Sequence, residues 1–258
     1  MNASILILGG TTEARQLAER LGETGRFRLE LSLAGRTKAP VRQPVPLRIG
    51  GFGGAEGLGR YLTEHGFDLL VDATHPYAAK ISANAARAAD LTGIPLVTLR
   101  RPGWEQQSGD RWREVDSVEA AVTALGELPR RAFLALGRQE LLPFEAAPQH
   151  AYLVRSVDPV EPPLDLPTVT YLTARGPFEE VDEWALLTGH GIEAIVCKNS
   201  GGMASYGKIT AARELGIEVI MIRRPVLPDV LAFQTVDDLV CHVDQAFPAA
   251  DLPQERGE

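Results

Sequence analysis

Cysteine, long apolar runs and net positive charge are what this 258-residue chain has little of. Its two cysteines, Cys197 and Cys241, have no partner spacing that reads as a metal site, so a metal centre is not expected and two inert thiols are. The apolar run behind Met1, Ile5–Leu8, is four residues long, too short for a signal-peptide core or a membrane span, so a soluble cytoplasmic protein is expected. Acidic residues outnumber basic ones, 34 to 26, for a net charge of −8 and a pI near 5.3. That balance argues against a nucleic-acid binder, yet local clusters of Lys and Arg can still receive an anionic small molecule. What is present in quantity is apolar material, 45% of the residues, which excludes disorder and suffices for one large domain or two modest ones.

That material alternates between strand and helix patterns. Ile5–Leu8 reads as a strand buried on both faces, and Ala14, Leu17, Ala18 and Leu21 as the stripe of a helix stopped by Gly22 or Gly25. Strands are expected at Phe27–Leu33, Leu69–Val71 and Pro95–Leu99, with a helix starting at Thr74-His75-Pro76. Gly50–Gly59, with no strong strand before it, reads as a mobile surface loop. The second half repeats the grammar, with a helix capped near Ser117, strands at Ala132–Leu136, Ala151–Val157, Ala194–Cys197 and Glu218–Ile222, and helices over Ala204–Leu215 and Val236–Val243.

The halves resemble one another. A constant offset of 123 carries Gly93-Ile94 onto Gly216-Ile217, Arg101-Pro102 onto Arg224-Pro225, and Thr74–Tyr77 onto Cys197–Ser200. The expected architecture is therefore α/β: two Rossmann-like lobes with mainly parallel sheets, residues 1–102 and 103–247, and a frayed tail at 248–258. Ligands of such lobes lie beyond the carboxyl ends of the strands, so an inter-lobe active-site cleft is expected.

Four strand ends carry the candidate chemistry. Gly9, Gly10, Thr11 and Thr12 follow the first strand, where glycine lets backbone approach a phosphate and the N–H groups of a helix start attract anions. The second strand ends at Ser32, Arg36 and Lys38, where a NAD site would place an acid; these residues suit a 2′-phosphate instead. Thr74, His75 and Tyr77 converge after the third strand, with a titratable imidazole and a ring that can stack on a flat ligand. Their second-half counterpart, Lys198-Asn199-Ser200-Gly201-Gly202, is a further anion-friendly loop.

The motifs Gly-Gly-Thr-Thr-Glu-Ala, Asp-Ala-Thr-His-Pro-Tyr-Ala, Lys-Asn-Ser-Gly-Gly and Arg-Arg-Pro, spread over residues 5–225, together resemble the precorrin-6A and cobalt-precorrin-6A reductase family of cobalamin biosynthesis. The resemblance implies an NADPH-dependent reduction of one double bond of a tetrapyrrole-derived polycarboxylate, giving precorrin-6B, with or without cobalt. It also implies a small-molecule substrate and possible contact with neighbouring pathway enzymes, with no nucleic-acid or membrane partner. On that reading His75, Tyr77 and Lys198 are catalytic, while Gly9, Gly10, Thr11, Thr12, Ser32, Arg36, Thr74, Asn199, Ser200 and Gly201 hold the cofactor. Arg100, Arg101, Arg138, Arg175, Arg223 and Arg224 are available for the substrate carboxylates. A non-catalytic two-lobed binding protein and a methyltransferase are the alternatives; the His-Tyr cluster disfavours the first and the basic end of the second strand disfavours the other.

Overall fold

A computed structural model describes residues 2–35 and 42–248. The first hundred residues form β1 (Ala3–Leu8), α1 (Thr12–Glu23), β2 (Phe27–Leu33), β3 (Leu47–Ile49), α2 (Ala55–Glu64), β4 (Leu69–Asp72), α3 (Ala79–Thr92) and β5 (Leu96–Leu99). The chain continues through β6 (Arg111–Val115), α4 (Val118–Leu125), β7 (Arg131–Ala135), β8 (Ala151–Ser156), β9 (Val169–Thr173) and α5 (Glu180–Gly189). It ends with β10 (Ala194–Lys198), α6 (Gly207–Leu215), β11 (Glu218–Ile222), β12 (Ala232–Phe233) and α7 (Val236–Ala246). These elements divide into two compact units, residues 1–101 with 226–258 and residues 102–225.

In the first unit the sheet order is β12-β5-β4-β1-β2-β3, all neighbours parallel. Helices cover both faces, because the central strands are apolar on both. Ile5 and Ile7 of β1 share a core with Leu17 and Leu21 of α1 and Leu239 and Val243 of α7. Leu6 and Leu8 point the other way, onto Leu58 and Leu62 of α2 and Ala85 and Ala88 of α3. The second unit has the order β6-β11-β10-β7-β8-β9, again parallel throughout.

The two sheets match position by position once β12–α7 is counted ahead of β1. Their local chemistry matches too. Thr235 and Ser117 cap α7 and α4 by accepting from Asp238 N and Ala120 N. Gly93 and Gly216 close α3 and α6 in the left-handed conformation, at φ 71° and 65°. One position differs: where α1 follows β1, two short 3-10 turns, Arg138–Glu140 and Leu142–Ala146, follow β7.

Several expectations change. The second lobe was expected to span 103–247; instead β12 and α7 return to the first unit, because the apolar stripe of α7 completes the core over α1. The helix expected from Thr74 begins only at Ala79, since the Asp72 carboxylate takes the Thr74 N–H and holds 73–78 as a loop. Gly50–Gly59 was expected to lack a strong strand before it; the three-residue β3 precedes it, paired with β2. Gly22 lies inside α1, which ends at Glu23 before Gly25, φ 62°. The expected tail, from 249 onward, lies outside the described residues.

Candidate functional site

Both sheets reverse their strand order at one point, between β1 and β4 in the first unit and between β7 and β10 in the second. The connections on either side of such a point run in opposite directions and leave a crevice at the strand ends, the usual ligand position of open α/β sheets. In the first unit the two loops bordering it are Gly9–Thr11 and Ala73–Ala78.

The Gly9–Thr11 turn is tight against its own sheet. A Cβ on Gly9 would stand 2.7 Å from Leu31 Cδ1, and Gly10 adopts φ 119°. Thr11 caps α1: its Oγ1 accepts from Ala14 N at 3.0 Å and donates to Ala73 O at 2.9 Å. One hydroxyl thus ties the two bordering loops together. Thr12 is the first residue of α1 and is exposed. Glu13, in the same first turn, would repel an anion, but Arg101 pairs with it at 2.5 Å and neutralises it.

Across the crevice, buried Asp72 organises the other loop. Its Oδ1 accepts from Thr74 N at 3.1 Å and Thr74 Oγ1 at 2.6 Å, and its Oδ2 from Ser82 Oγ at 2.6 Å. His75 and Tyr77 follow, half-buried, with ring centroids 5.6 Å apart. Tyr77 N donates to His75 Nδ1 at 3.3 Å, which puts the proton of the neutral imidazole on Nε2. Ser32 is buried at the end of β2 beside Arg48 of β3. Arg36 and Lys38 lie outside the described residues.

In the second unit the loops after β7 and β10 are joined by an ion pair. Lys198, expected to be catalytic in an anion-friendly loop, binds Glu140, whose other oxygen accepts from Gly137 N at 3.3 Å. Asn199 clamps the Trp104 backbone, accepting from Trp104 N at 2.6 Å and donating to Trp104 O at 2.8 Å. Ser200 Oγ lies 3.2 Å from Ser205 Oγ. Gly201, φ 73°, passes so close to residue 102 that a Cβ would stand 1.9 Å from Pro102 O. Below this loop the Lys208 ammonium is buried over the Trp104 ring, 4.8 Å from its centroid, and burial pushes its pKa down.

Much of the expected cation supply is committed within the chain. Arg223 pairs with Glu114 and Asp116, Arg224 bonds Asn199 O and Pro102 O, and Arg100 bonds Pro228 O. Sequence reasoning missed Glu140, Arg48 and the organising role of Asp72. Glu140 had a signal, an acid three residues after Gly137 where a helix-start carboxylate reaches back. Arg48 had none, because only the pairing of β3 with β2 brings it beside Ser32. Among the described residues no cluster of His, Cys, Asp and Glu could hold a metal ion, and no helix is long and apolar enough to cross a membrane.

Residues 4–244 match the family model described as precorrin-6x reductase CbiJ/CobK. A precorrin-6A reductase of Sinorhizobium sp. is 59% identical over 91% of this chain and 90% of its own length. A cobalt-precorrin-6A reductase of Priestia megaterium is 30% identical over 92% of this chain and 96% of its own. Among solved structures, a CobK precorrin-6A reductase superposes with a TM-score of 0.90 at 48% identity, covering 96% of this chain and 98% of that one.

Proposed function

This chain belongs to the precorrin-6x reductase family, and from that premise we propose that it reduces metal-free precorrin-6A to precorrin-6B with NADPH bound at the β1–β4 crevice. It is an oxidoreductase of cobalamin biosynthesis acting on a CH–CH group, and enzymes of this family use a nicotinamide cofactor. The choice of the metal-free substrate rests on identity, 59% to a precorrin-6A reductase against 30% to a cobalt-precorrin-6A reductase.

The observation that carries the cofactor site is the Gly9-Gly10-Thr11 turn at the switch point, joined through Thr11 Oγ1 to the Thr74–Tyr77 loop. The residues fit a dinucleotide. Gly9 and Gly10 present bare backbone, the first turn of α1 offers N–H groups and the positive end of its dipole, and Arg101 cancels Glu13. Thr12 and Ser32 extend the same edge toward the adenosine, and Thr74 is assigned to it from the other loop; Arg36, outside the described residues, keeps its assignment from the sequence alone. The bound nicotinamide supplies the hydride. The chain's own part is to orient, exclude water and deliver the proton to the second carbon. His75 is assigned as the first donor and the Tyr77 hydroxyl as the second, with a bound water as the alternative. Lys198, Asn199, Ser200 and Gly201 are assigned to the second loop, where an incoming anion would compete with Glu140 for Lys198 and where Asn199 and Gly201 shape the backbone.

Titration with NADPH, NADH and S-adenosylmethionine, followed by turnover of metal-free and cobalt-loaded substrate, tests this reading. NADPH is expected to bind tightest, with turnover on the metal-free macrocycle. Preference for S-adenosylmethionine, or turnover confined to the cobalt form, would overturn the cofactor or the substrate respectively.

A further inference from the structure

The Gly-Gly-Phe-Gly-Gly segment that follows β3 is conformationally expensive. Gly50, Gly53 and Gly54 adopt φ 120°, 80° and 94°, which side-chain-bearing residues rarely do, and a Cβ on Gly57 would stand 1.7 Å from Phe52 O. The result is a fixed guanidinium. Arg48 Cζ lies 3.7 Å from the Phe52 ring centroid and 5.1 Å from that of Tyr61. Arg48 Nη1 donates to Gly50 O at 2.6 Å and reaches Ser32 Oγ at 3.5 Å, and Nη2 donates to Gly51 O at 3.0 Å. A guanidinium has five N–H donors, so these contacts leave two uncommitted among the described residues. The nearby carboxylate of Glu30 accepts from the Tyr61 hydroxyl at 2.5 Å.

The position of this cation is what gives it a function. Leu8, Ser32 and Arg48 stand in one row across β1, β2 and β3, and Leu8 immediately precedes the Gly9-Gly10 turn. Two strand spacings, roughly 10 Å, separate Arg48 from that turn, comparable to the length of one nucleoside. A dinucleotide whose phosphates sit on Gly9-Gly10 and whose adenosine crosses the end of β2 brings its ribose 2′ position to Ser32 and Arg48. Both are donors, where a NAD site would offer an accepting carboxylate.

Resting on the cofactor site proposed above, we propose that Arg48, with Ser32 beside it and Phe52 behind it, reads the 2′-phosphate of the adenosine and sets the choice of NADPH over NADH. A planar guanidinium held by stacking and by backbone carbonyls meets a phosphate with little ordering left to do.

The test is nucleotide binding to the full chain, using NADPH against NADH and 2′,5′-ADP against ADP as probe pairs. Arg48→Met is expected to weaken NADPH and 2′,5′-ADP by about ten- to a hundredfold, the range of one charge-assisted contact, and to leave NADH and ADP within about twofold. Arg48→Lys keeps the charge without the fork and should recover part of the loss, while Phe52→Leu should cause a smaller loss in the same two probes. Equal weakening within each pair would make Arg48 a support for the loop and overturn the proposal, as would unchanged 2′,5′-ADP binding. If the parent protein bound no nicotinamide dinucleotide, the cofactor reading itself would fail; an Arg48 variant as NADPH-selective as the parent defeats this inference alone.

Discussion

Asp72 shows how one side chain converts a strand into a site. Its buried carboxylate accepts three hydrogen bonds, two from Thr74 and one from Ser82, and so fixes the loop that carries His75 and Tyr77. Asp72→Asn removes the charge that strengthens these bonds and replaces one accepting oxygen by an amide N–H donor. A stability loss of about 1.5–3 kcal/mol is expected in denaturant titration, larger than that of Ser82→Ala. His75 and Tyr77 are half-buried and outside the core, so His75→Ala should leave the melting temperature near the parent value while turnover falls by about a hundredfold or more, the usual worth of a positioned proton donor. An unfolded His75→Ala protein, or one with full turnover, would remove His75 from the mechanism. Away from the site, His150 is buried and accepts from Arg130 N at 3.2 Å, and its burial holds the imidazole pKa below the ordinary value. The unfolded chain therefore takes up a proton first as pH falls. Stability should be full above about pH 6.5, decline below it and level off once the folded-state pKa is passed. Thermal melts from pH 8 to 5 should show that slope, flattened in His150→Gln.

At the scale of elements, the strand ends matter more than the strands. Each crevice is bordered by a loop after the central strand and a loop after its neighbour, and each pair is cross-linked, by Thr11 to Ala73 O in one unit and by Glu140 to Lys198 in the other. The second unit's loop depends on Gly201, whose φ of 73° and contact with Pro102 O admit no Cβ. Gly201→Ala should cost at least about 1–3 kcal/mol from the backbone alone, and the clash adds to it. A melting temperature within a degree of the parent would show that the loop can move aside. Which elements were legible follows from burial. The strands β1, β4, β7 and β10 are apolar on both faces and stand out in the sequence. The edge strands β6 (Arg-Trp-Arg-Glu-Val) and β12 (two residues) carry no such signal and were missed. So was α5, whose first turn is acidic and which exposes Val181 and Trp184.

For the whole molecule, the two units are the same arrangement opened at different places. The second is contiguous, β6 through β11, whereas the first borrows β12 and α7 from the far end of the chain. Residues 102–225 alone should therefore unfold cooperatively in circular dichroism. Residues 2–101 alone should not, because Leu17 and Leu21 would lack Leu239 and Val243; residues 226–248 linked ahead of residue 2 should restore the transition. A cooperative melt for 2–101 by itself would show α7 to be dispensable. The sequence by itself determined the α/β class, the parallel central strands and the glycine and His-Tyr motifs, since these depend on apolar periodicity and on residue types that only particular backbone turns require. Tertiary structure alone decided that α7 closes the first unit, that Lys198 is paired with Glu140, and that Arg48 stands beside Ser32. Each of these is a contact between residues far apart in the chain, set by sheet order and register, which no local pattern encodes.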